Sequence, residues 1–157
     1  MAKANPPAHS GCNWEKILRE PKAVQKLIRA LMPILKARAT EFDGFVVCGY
    51  SMSLLAPILA YLLEKSIVVV TKKGDLRHTV DKVEGIHGQR LLMVDDLISS
   101  GETLRHVANS VQDIAGQLAG LVLWWQETGP SFTYKNDTTN QFVEVPVWHS
   151  KCYDKLM

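Results

Sequence analysis

The fold of this chain is decided by one stretch near its middle, Leu91-Leu92-Met93-Val94-Asp95-Asp96-Leu97-Ile98-Ser99-Ser100-Gly101-Glu102-Thr103. The stretch begins with four consecutive apolar residues, which is typical of a strand buried on both faces in a parallel sheet. Two adjacent acids follow, then a short loop rich in hydroxyl groups, and from about Glu102 onward the residues have helical periodicity. The stretch therefore predicts a strand, a loop and a helix in that order.

Similar short apolar runs occur at residues 45–48, 67–70 and 118–123, and they are rich in β-branched residues or leucine. One helical pattern spans about residues 53–64 and another spans about residues 102–114. A chain in which strands alternate with helices is typical of an α/β domain. We therefore predict an α/β fold with a mostly parallel sheet flanked by helices.

Three segments lie outside this alternation. Residues 21–39 have apolar side chains at three- and four-residue steps, which predicts an amphipathic helix with a kink or a break at Pro33. Residues 142–148 alternate less cleanly and contain Pro146, so we expect an edge strand or an irregular strand there. Residues 72–89 are charged and have no clear period, and a long polar connection of this kind is either functional or mobile.

The composition is that of one ordinary globular domain covering residues 1–157. Hydrophobic residues make up 46% and charged residues 22%, which excludes disordered, collagen-like and disulfide-scaffold proteins. The net charge of +2 gives no reason to expect nucleic-acid or membrane binding, and the three cysteines form no CxxC pair. The first residues lack the apolar core of a signal peptide, and no apolar run is long enough to span a bilayer, so we expect a cytoplasmic protein.

The loop after the acids has the properties of a phosphate site. Ligands of open parallel sheets bind at the carboxyl ends of strands, and a helix start offers free N–H groups and a positive dipole end. Ser99, Ser100 and Thr103 add hydroxyl groups at this point, and Gly101 allows the backbone to approach a ligand. The simpler alternative is that Ser99 or Ser100 only caps the following helix.

The acid pair needs a separate explanation, because Asp95 and Asp96 would repel a phosphate unless they face hydroxyl groups or a cation. A phosphorylated sugar satisfies both requirements, with its phosphate in the loop and its hydroxyl groups on the acids. The alternative is that both acids are solvated residues at the end of a strand. The continuous order of strand, acid pair, Ser-Ser-Gly-x-Thr and helix favours the sugar phosphate.

Residues 91–103 closely resemble the signature with which type I phosphoribosyltransferases bind 5-phosphoribosyl 1-pyrophosphate (PRPP), and a weaker resemblance covers about residues 43–123. The family has a Rossmann-like sheet and a hood over the site, here formed by the N-terminal arm and the C-terminal segment. The resemblance implies that Asp95 and Asp96 hold the ribose hydroxyls and contact Mg²⁺ indirectly, through PRPP and water. It assigns the 5-phosphate to Ser99, Ser100, Gly101, Glu102 and Thr103.

Residues 48–53 follow the first strand, where the family has its pyrophosphate-binding loop. The resemblance implies that Tyr50 and Ser51 bind pyrophosphate there. The alternative is an ordinary turn at Gly49 followed by a serine helix cap.

The connection at residues 72–89 occupies the place of the family's flexible catalytic loop. Lys72 and Lys73 look like the paired cations that reach pyrophosphate in orotate-type members, with Lys73 as the catalytic cation. Arg77 and His78 lie near positions that bind PRPP in that group. The alternative is a solvated run of charges, which is the usual role of such a segment.

The resemblance implies Mg²⁺-dependent transfer of phosphoribosyl from PRPP to a nitrogenous base, with release of pyrophosphate, as in nucleotide biosynthesis. Serine at position 99 and the lysine pair favour orotate or a related pyrimidine, and a purine is the alternative. Many relatives are dimers, so we expect a homodimer. Aromatic residues that could enclose the base, each also typical of a core, are Trp14, Trp124, Trp125, Phe132, Tyr134 and Trp148.

Two readings from other classes stay open. A regulatory protein could keep this fold and sense PRPP without catalysis. A flavodoxin-like α/β domain could use the acids for phosphorelay or metal binding, although the sequence Ser-Ser-Gly-Glu-Thr is unexpected there. Both lysines and both acids are present, and this favours turnover.

Overall fold

The computed structural model of the chain describes residues 20–72, 83–96, 98, 100–124 and 128–150, except for the side chains of Tyr50 and Ser51. Four predicted site residues lie outside the described residues, namely Lys73, Arg77, His78 and Ser99. The arms that we assigned to the hood, residues 1–19 and 151–157, lie outside them as well.

The described residues form three helices and seven strands. The helices are α1 (Pro21–Ala37), α2 (Tyr50–Leu63) and α3 (Glu102–Asp113). The strands are β1 (Gly44–Val47), β2 (Ser66–Val70), β3 (Val83–Glu84), β4 (Arg90–Asp95), β5 (Gln117–Leu123), β6 (Ser131–Lys135) and β7 (Phe142–His149). They make one sheet in the order β3-β2-β1-β4-β5-β7-β6, in which only the outermost pairs, β2 with β3 and β7 with β6, are antiparallel. The predicted α/β fold with a mostly parallel sheet is confirmed.

The sheet is buried on both faces, which explains why its central strands are continuous apolar runs. On one face, alternate residues of β1 and β4 pack against α1 and α2, and this layer includes Phe45, Val47, Leu92, Val94, Leu31 and Leu55. On the other face, the intervening residues pack against α3, and this layer includes Val46, Leu91, Met93, Leu104, Val107 and Val111. Because apolar contacts hold β4 from both sides, they also fix the point at which it ends.

Helix α1 continues through Pro33, so the predicted break is absent. The helix buries Leu27, Leu31 and Leu35, which recur every four residues on one side. Pro33 lies on the exposed side, where water can bond the carbonyl group that a proline leaves without its helical partner. The apolar stripe therefore outweighs the cost of one missing hydrogen bond.

For residues 142–148 we predicted an edge strand or an irregular strand, and the edge alternative was wrong, because β7 lies between β5 and β6. Its first part, up to Pro146, pairs with β6, and its last three residues pair with β5 from Val147 onward. Pro146 stands where the strand changes partners. A proline there costs no pairing with β5, because that pairing starts one residue later.

Two strands were not predicted at all. Strand β3 is a two-residue strand inside the polar connection at residues 72–89, and it pairs antiparallel with the end of β2. Strand β6 forms a hairpin with β7, closed by Asn136, whose Oδ1 accepts the N–H groups of Thr138 and Thr139 at 2.8 and 2.9 Å. Among the described residues, no helix has the length and apolarity needed to cross a bilayer.

Candidate functional site

The candidate site lies where the direction of the chain connections reverses. Strands β1 and β4 are parallel neighbours, yet α2, which follows β1, and α3, which follows β4, pack on opposite faces of the sheet. The loops that leave two such strands diverge and open a crevice at their carboxyl ends, which is the usual ligand site of an open α/β sheet. The described residues at this edge are 48–49 after β1, 71–72 after β2, and 96, 98 and 100–101 after β4.

Asp95 is the last residue of β4, and its surroundings disfavour the charged form of its carboxyl group. Burial raises the pKa of Asp95 to about 8, with repulsion from the neighbouring Asp96 carboxylate as the second cause. The positive charge of Lys72 acts in the opposite direction and offsets only part of the rise. The backbone N–H of Asp96 donates to Asp95 Oδ1 at 2.9 Å. Hydroxyl donors or a cation would stabilise such a carboxylate, so the acid pair fits a ligand that brings them.

The phosphate loop ends at Gly101, which is the N-cap of α3 and has a φ of 77°. Its backbone C=O accepts the first helical hydrogen bond, from the N–H of Arg105, at 2.9 Å. Ser100 Oγ accepts the N–H of Glu102 at 3.3 Å, which is a long bond, so the capping role considered for this serine is present but weak. The start of α3 therefore has the glycine and the N–H groups that a phosphate site requires.

Gly101 is needed for a second reason, which involves the strand that was not predicted. A Cβ atom at this position would lie 2.5 Å from Cζ of Phe132, a residue of β6. The aromatic ring packs directly against the glycine backbone, so β6 supports the predicted phosphate loop. Phe132 thus packs against Gly101, while the arms that we assigned to the hood lie outside the described residues.

Gly49, after β1, plays a similar part for Lys72. It has a φ of 91°, and a Cβ atom there would lie 3.1 Å from Cε and 3.4 Å from Nζ of Lys72. The lysine side chain therefore lies along the backbone of the predicted pyrophosphate loop. In the first turn of α2, directly after this loop, Ser53 Oγ donates a hydrogen bond to the Gly49 carbonyl oxygen at 2.8 Å.

A cavity of about 310 Å³ lies beside this edge, on the α3 face of the sheet. It is lined by Cys48, Lys72, Glu102, Thr103, Arg105, His106, Asn109 and Asp137. His106 Nε2 is 2.7 Å from the carbonyl oxygen of Thr71, and Asn109 Nδ2 donates to Asp137 Oδ2 at 2.9 Å. The sequence prediction missed His106, whereas Asn109 and Asp137 line the cavity wall through their contact with each other. The position of His106, four residues after Glu102 on the same side of α3, was the available signal.

The structure thus brings Lys72, both acids and residues 100–103 to one edge of the sheet. Tyr50 and Ser51 form the start of α2 at the same edge. Trp124 and Tyr134 are buried in the core, which confirms the simpler reading of these two aromatics. Trp148 packs over Gly120 and under the guanidinium of Arg38, whereas Trp14 and Trp125 lie outside the described residues.

The described residues contain no group of three or more acids, histidines and cysteines that could hold a metal ion. A metal at Asp95 and Asp96 would therefore need further oxygen ligands from a bound molecule or from water. Two carboxylates completed by substrate phosphates and water are a usual way to bind Mg²⁺. The oxygen donors present fit this ion.

Replacing Gly101 by alanine tests the support of the phosphate loop. Gly88 is a matched control, because it has a φ of 72° and nothing within 4 Å of an added Cβ. Each alanine costs roughly 1–2 kcal/mol for its left-handed backbone. Gly101→Ala should lose about 1–3 kcal/mol more in urea unfolding, because its Cβ would collide with Phe132. Equal losses at the two positions would contradict the packing described.

Replacing Asp95 by asparagine tests the disfavoured charge. Because the pKa is raised from 3.8 to about 8, the folded state keeps a proton that the unfolded chain has lost, so the contribution of Asp95 to stability falls as pH rises through this range. Asp95→Asn removes this loss, so its melting temperature should exceed that of the wild type by more at about pH 8 than at about pH 5. Asp113→Asn, at an exposed position on α3, is the control. A gain that does not change with pH would show that the charge of Asp95 is not disfavoured.

No protein-family model matches the chain. It is 29% identical over 120 residues to the adenine phosphoribosyltransferase of Bifidobacterium longum subsp. infantis, covering 66% of this chain and 62% of that protein. It is 24% identical over 100 residues to the orotate phosphoribosyltransferase of Caenorhabditis elegans, covering 62% of this chain and 44% of that protein. The chain thus spans about three fifths or less of the length of these curated relatives.

The chain is also similar to a solved structure of a phosphoribosyltransferase. The adenine phosphoribosyltransferase of Thermoanaerobacter pseudethanolicus has a TM-score of 0.56 and 25% identity, with 69% of this chain and 72% of that chain covered. Sequence relatives and structural neighbours agree with the motif at residues 91–103 and with the position of that motif at the carboxyl edge of the sheet. The chain is thus similar in sequence to adenine and orotate phosphoribosyltransferases, and similar in fold to an adenine phosphoribosyltransferase.

Proposed function

We propose that this chain is an enzyme that transfers the phosphoribosyl group of PRPP to a nitrogenous base and releases pyrophosphate, with Mg²⁺ as cofactor. The observation that carries the proposal is the half-buried pair Asp95 and Asp96, which leads directly into the glycine-capped start of α3. One end of this segment suits hydroxyl groups and a cation, and the other suits a phosphate. A ribose 5-phosphate with a charged group on C1 matches both ends.

The acids bind the ribose in this proposal. The 2- and 3-hydroxyls of PRPP donate to the Asp95 and Asp96 carboxylates, which fixes the sugar over the end of β4. The reaction breaks the bond between C1 and pyrophosphate, and its transition state has oxocarbenium character, as in other glycosyl transfers. Carboxylates near the sugar also stabilise positive charge that develops on the ring.

The 5-phosphate is bound by residues 99–103 at the start of α3. The N–H groups of the first turn and the hydroxyls of Ser99, Ser100 and Thr103 donate to its oxygens. Glu102 contributes its backbone N–H rather than its carboxylate, because two anions repel each other. The Phe132 ring beneath Gly101 holds the loop in place during binding.

Pyrophosphate departs toward the cations at the ends of β1 and β2. Lys72 lies along Gly49, beside the loop that begins α2, and Lys73 follows it in the chain. Tyr50, Ser51, Arg77 and His78 complete this part of the proposed site. Each cation placed where negative charge develops is worth about 3–4 kcal/mol of transition-state stabilisation. When bound through PRPP and water at the acid pair, Mg²⁺ supplies further charge neutralisation on pyrophosphate.

The identity of the base is the most detailed part of the proposal. Serine at position 99 and the lysine pair support orotate or a related pyrimidine. Adenine is the second candidate, because the relatives reported above include adenine phosphoribosyltransferases with higher identity than the orotate enzyme. We place the base under a hood formed by both chain ends, and we propose a cytoplasmic homodimer that binds neither nucleic acid nor membrane.

The proposal is tested by measuring pyrophosphate release from PRPP with a panel of bases that includes orotate, uracil, adenine, hypoxanthine and guanine. We expect release with one base or one class of base, and its loss when EDTA removes Mg²⁺. Lys73→Ala should lower kcat about 10²-fold with a smaller change in the KM for PRPP, because the cation acts on the leaving group. Lys36→Ala, an exposed lysine on α1, is the control.

The results separate the competing functions. Release with orotate supports the pyrimidine assignment, whereas release with adenine supports the purine assignment. Binding of PRPP without release in the presence of every base would identify a PRPP-sensing regulator instead. Failure to bind PRPP would leave the flavodoxin-like reading.

A further inference from the structure

We propose that His106 is a positioning residue that holds Lys72 beside the pyrophosphate site by donating a hydrogen bond to the carbonyl group of Thr71. The proposal rests on the function proposed above, and it adds a residue that the sequence motifs do not contain. His106 does not touch PRPP in this proposal. It acts through the segment that carries Lys72.

The first observation is that Thr71 and Lys72 lie just past the paired part of β2. Among the described residues, the pairing of β2 with β1 ends at Val69, and its pairing with β3 ends at Val70. Within that part of the chain, no strand pairs with the next two residues. A contact from another element can therefore set the direction in which Lys72 leaves the strand.

The second observation is that α3 provides this contact. His106 is half-buried in the second turn of the helix, and its Nε2 is 2.7 Å from the Thr71 carbonyl oxygen. A carbonyl oxygen only accepts, so Nε2 is the donor in both the neutral and the protonated imidazole. The contact therefore does not depend on the charge of His106. This property suits a positional role better than proton transfer.

The third observation is that the residue positioned by this hydrogen bond is Lys72. It directly follows Thr71, and its side chain lies along Gly49. Its positive charge lowers the pKa of Asp95, although other causes raise that pKa overall. The hydrogen bond thus links the helix that begins at the phosphate loop to the lysine that faces the other end of PRPP.

The same face of α3 offers a matched control. Asn109 lies three residues after His106, lines the same cavity and donates to Asp137 Oδ2 at 2.9 Å. It ties α3 to the turn between β6 and β7, which is not part of the proposed site. Asn109→Ala removes this hydrogen bond and the one that the Asp137 N–H donates to Asn109 Oδ1 at 3.2 Å, and it leaves the His106 and Thr71 side of α3 unchanged in sequence.

The kinetic test is a double-mutant cycle of His106→Ala and Lys72→Ala, measured by pyrophosphate release with the accepted base. We expect His106→Ala to lower kcat about tenfold, as the loss of one well-placed hydrogen bond does. The KM for PRPP should change less than about threefold, and His106→Gln, which keeps a donor, should recover most of the loss. Asn109→Ala should stay within about twofold of the wild type.

The decisive result is the double variant. If His106 acts through Lys72, the double variant is no slower than Lys72→Ala alone, because the second change removes support from a group that is already absent. Losses that multiply would overturn the proposal, and so would an equal loss in Asn109→Ala.

A second measurement does not need turnover. Hydrogen exchange of the peptide that contains Thr71 and Lys72 should be faster in His106→Ala, normal in Asn109→Ala and restored in His106→Gln. If the wild type has no transferase activity, the proposed function fails, and this exchange experiment still decides whether His106 holds the segment. Unchanged exchange in His106→Ala would overturn the positioning role.

Discussion

A carboxyl group buried at the end of a packed strand is the constraint on which the proposed site depends. Both faces of β4 are packed against helices, which hold Asp95 in its position. Burial first, and the adjacent Asp96 second, make the charged form of Asp95 unfavourable, and Lys72 offsets only part of this effect. A ligand that brings hydroxyl groups and a cation would stabilise that charged form. The two apolar layers keep β4, and with it Asp95, in place when such a ligand binds.

Two glycines connect this edge of the sheet to distant parts of the chain. Gly101 makes room for Phe132 of β6, and Gly49 makes room for the side chain of Lys72. In both cases the absence of a Cβ lets a side chain from another element pack against a loop that we propose to bind PRPP. The proposed phosphate end and the proposed pyrophosphate end are thus each built from two elements that are far apart in sequence. The contact of His106 with Thr71 joins these two ends across the α3 face of the sheet.

The sequence was most informative where one physical rule dominates. Continuous apolar runs predicted the four central strands, because a parallel strand buried on both faces has no polar positions. The acid pair and the serine-rich loop led to the proposed site, because their chemistry has few structural uses, and the structure places the acid pair and the start of α3 at the carboxyl edge of the sheet. Boundaries were less exact: α2 begins at Tyr50, about three residues before its predicted start, since the turn at Gly49 leads directly into the helix.

The elements that were missed depend on partners that a local pattern does not reveal. Strand β3 has two residues and exists only through its pairing with β2, and β6 is a short edge strand whose alternation is weak. The Asn-Asp-Thr-Thr-Asn sequence after β6 was a turn signal that could have found the hairpin. Pro146 suggested an edge strand, but β7 lies inside the sheet and changes its pairing partner from β6 to β5 at that residue. His106 was missed because its spacing from Glu102 shows only that the two residues share a side of α3, whereas its contact with Thr71 is known only from the structure.

The central claim is that the acid pair at the end of β4 binds PRPP together with Mg²⁺. Isothermal titration of PRPP and Mg²⁺ into the wild type and into the Asp95→Asn/Asp96→Asn variant tests it most directly. The account predicts saturable heat for the wild type and none for the variant, whose amides no longer attract the cation and accept the ribose hydroxyls less strongly. No heat from the wild type at millimolar PRPP, or the same affinity in the variant, would contradict it.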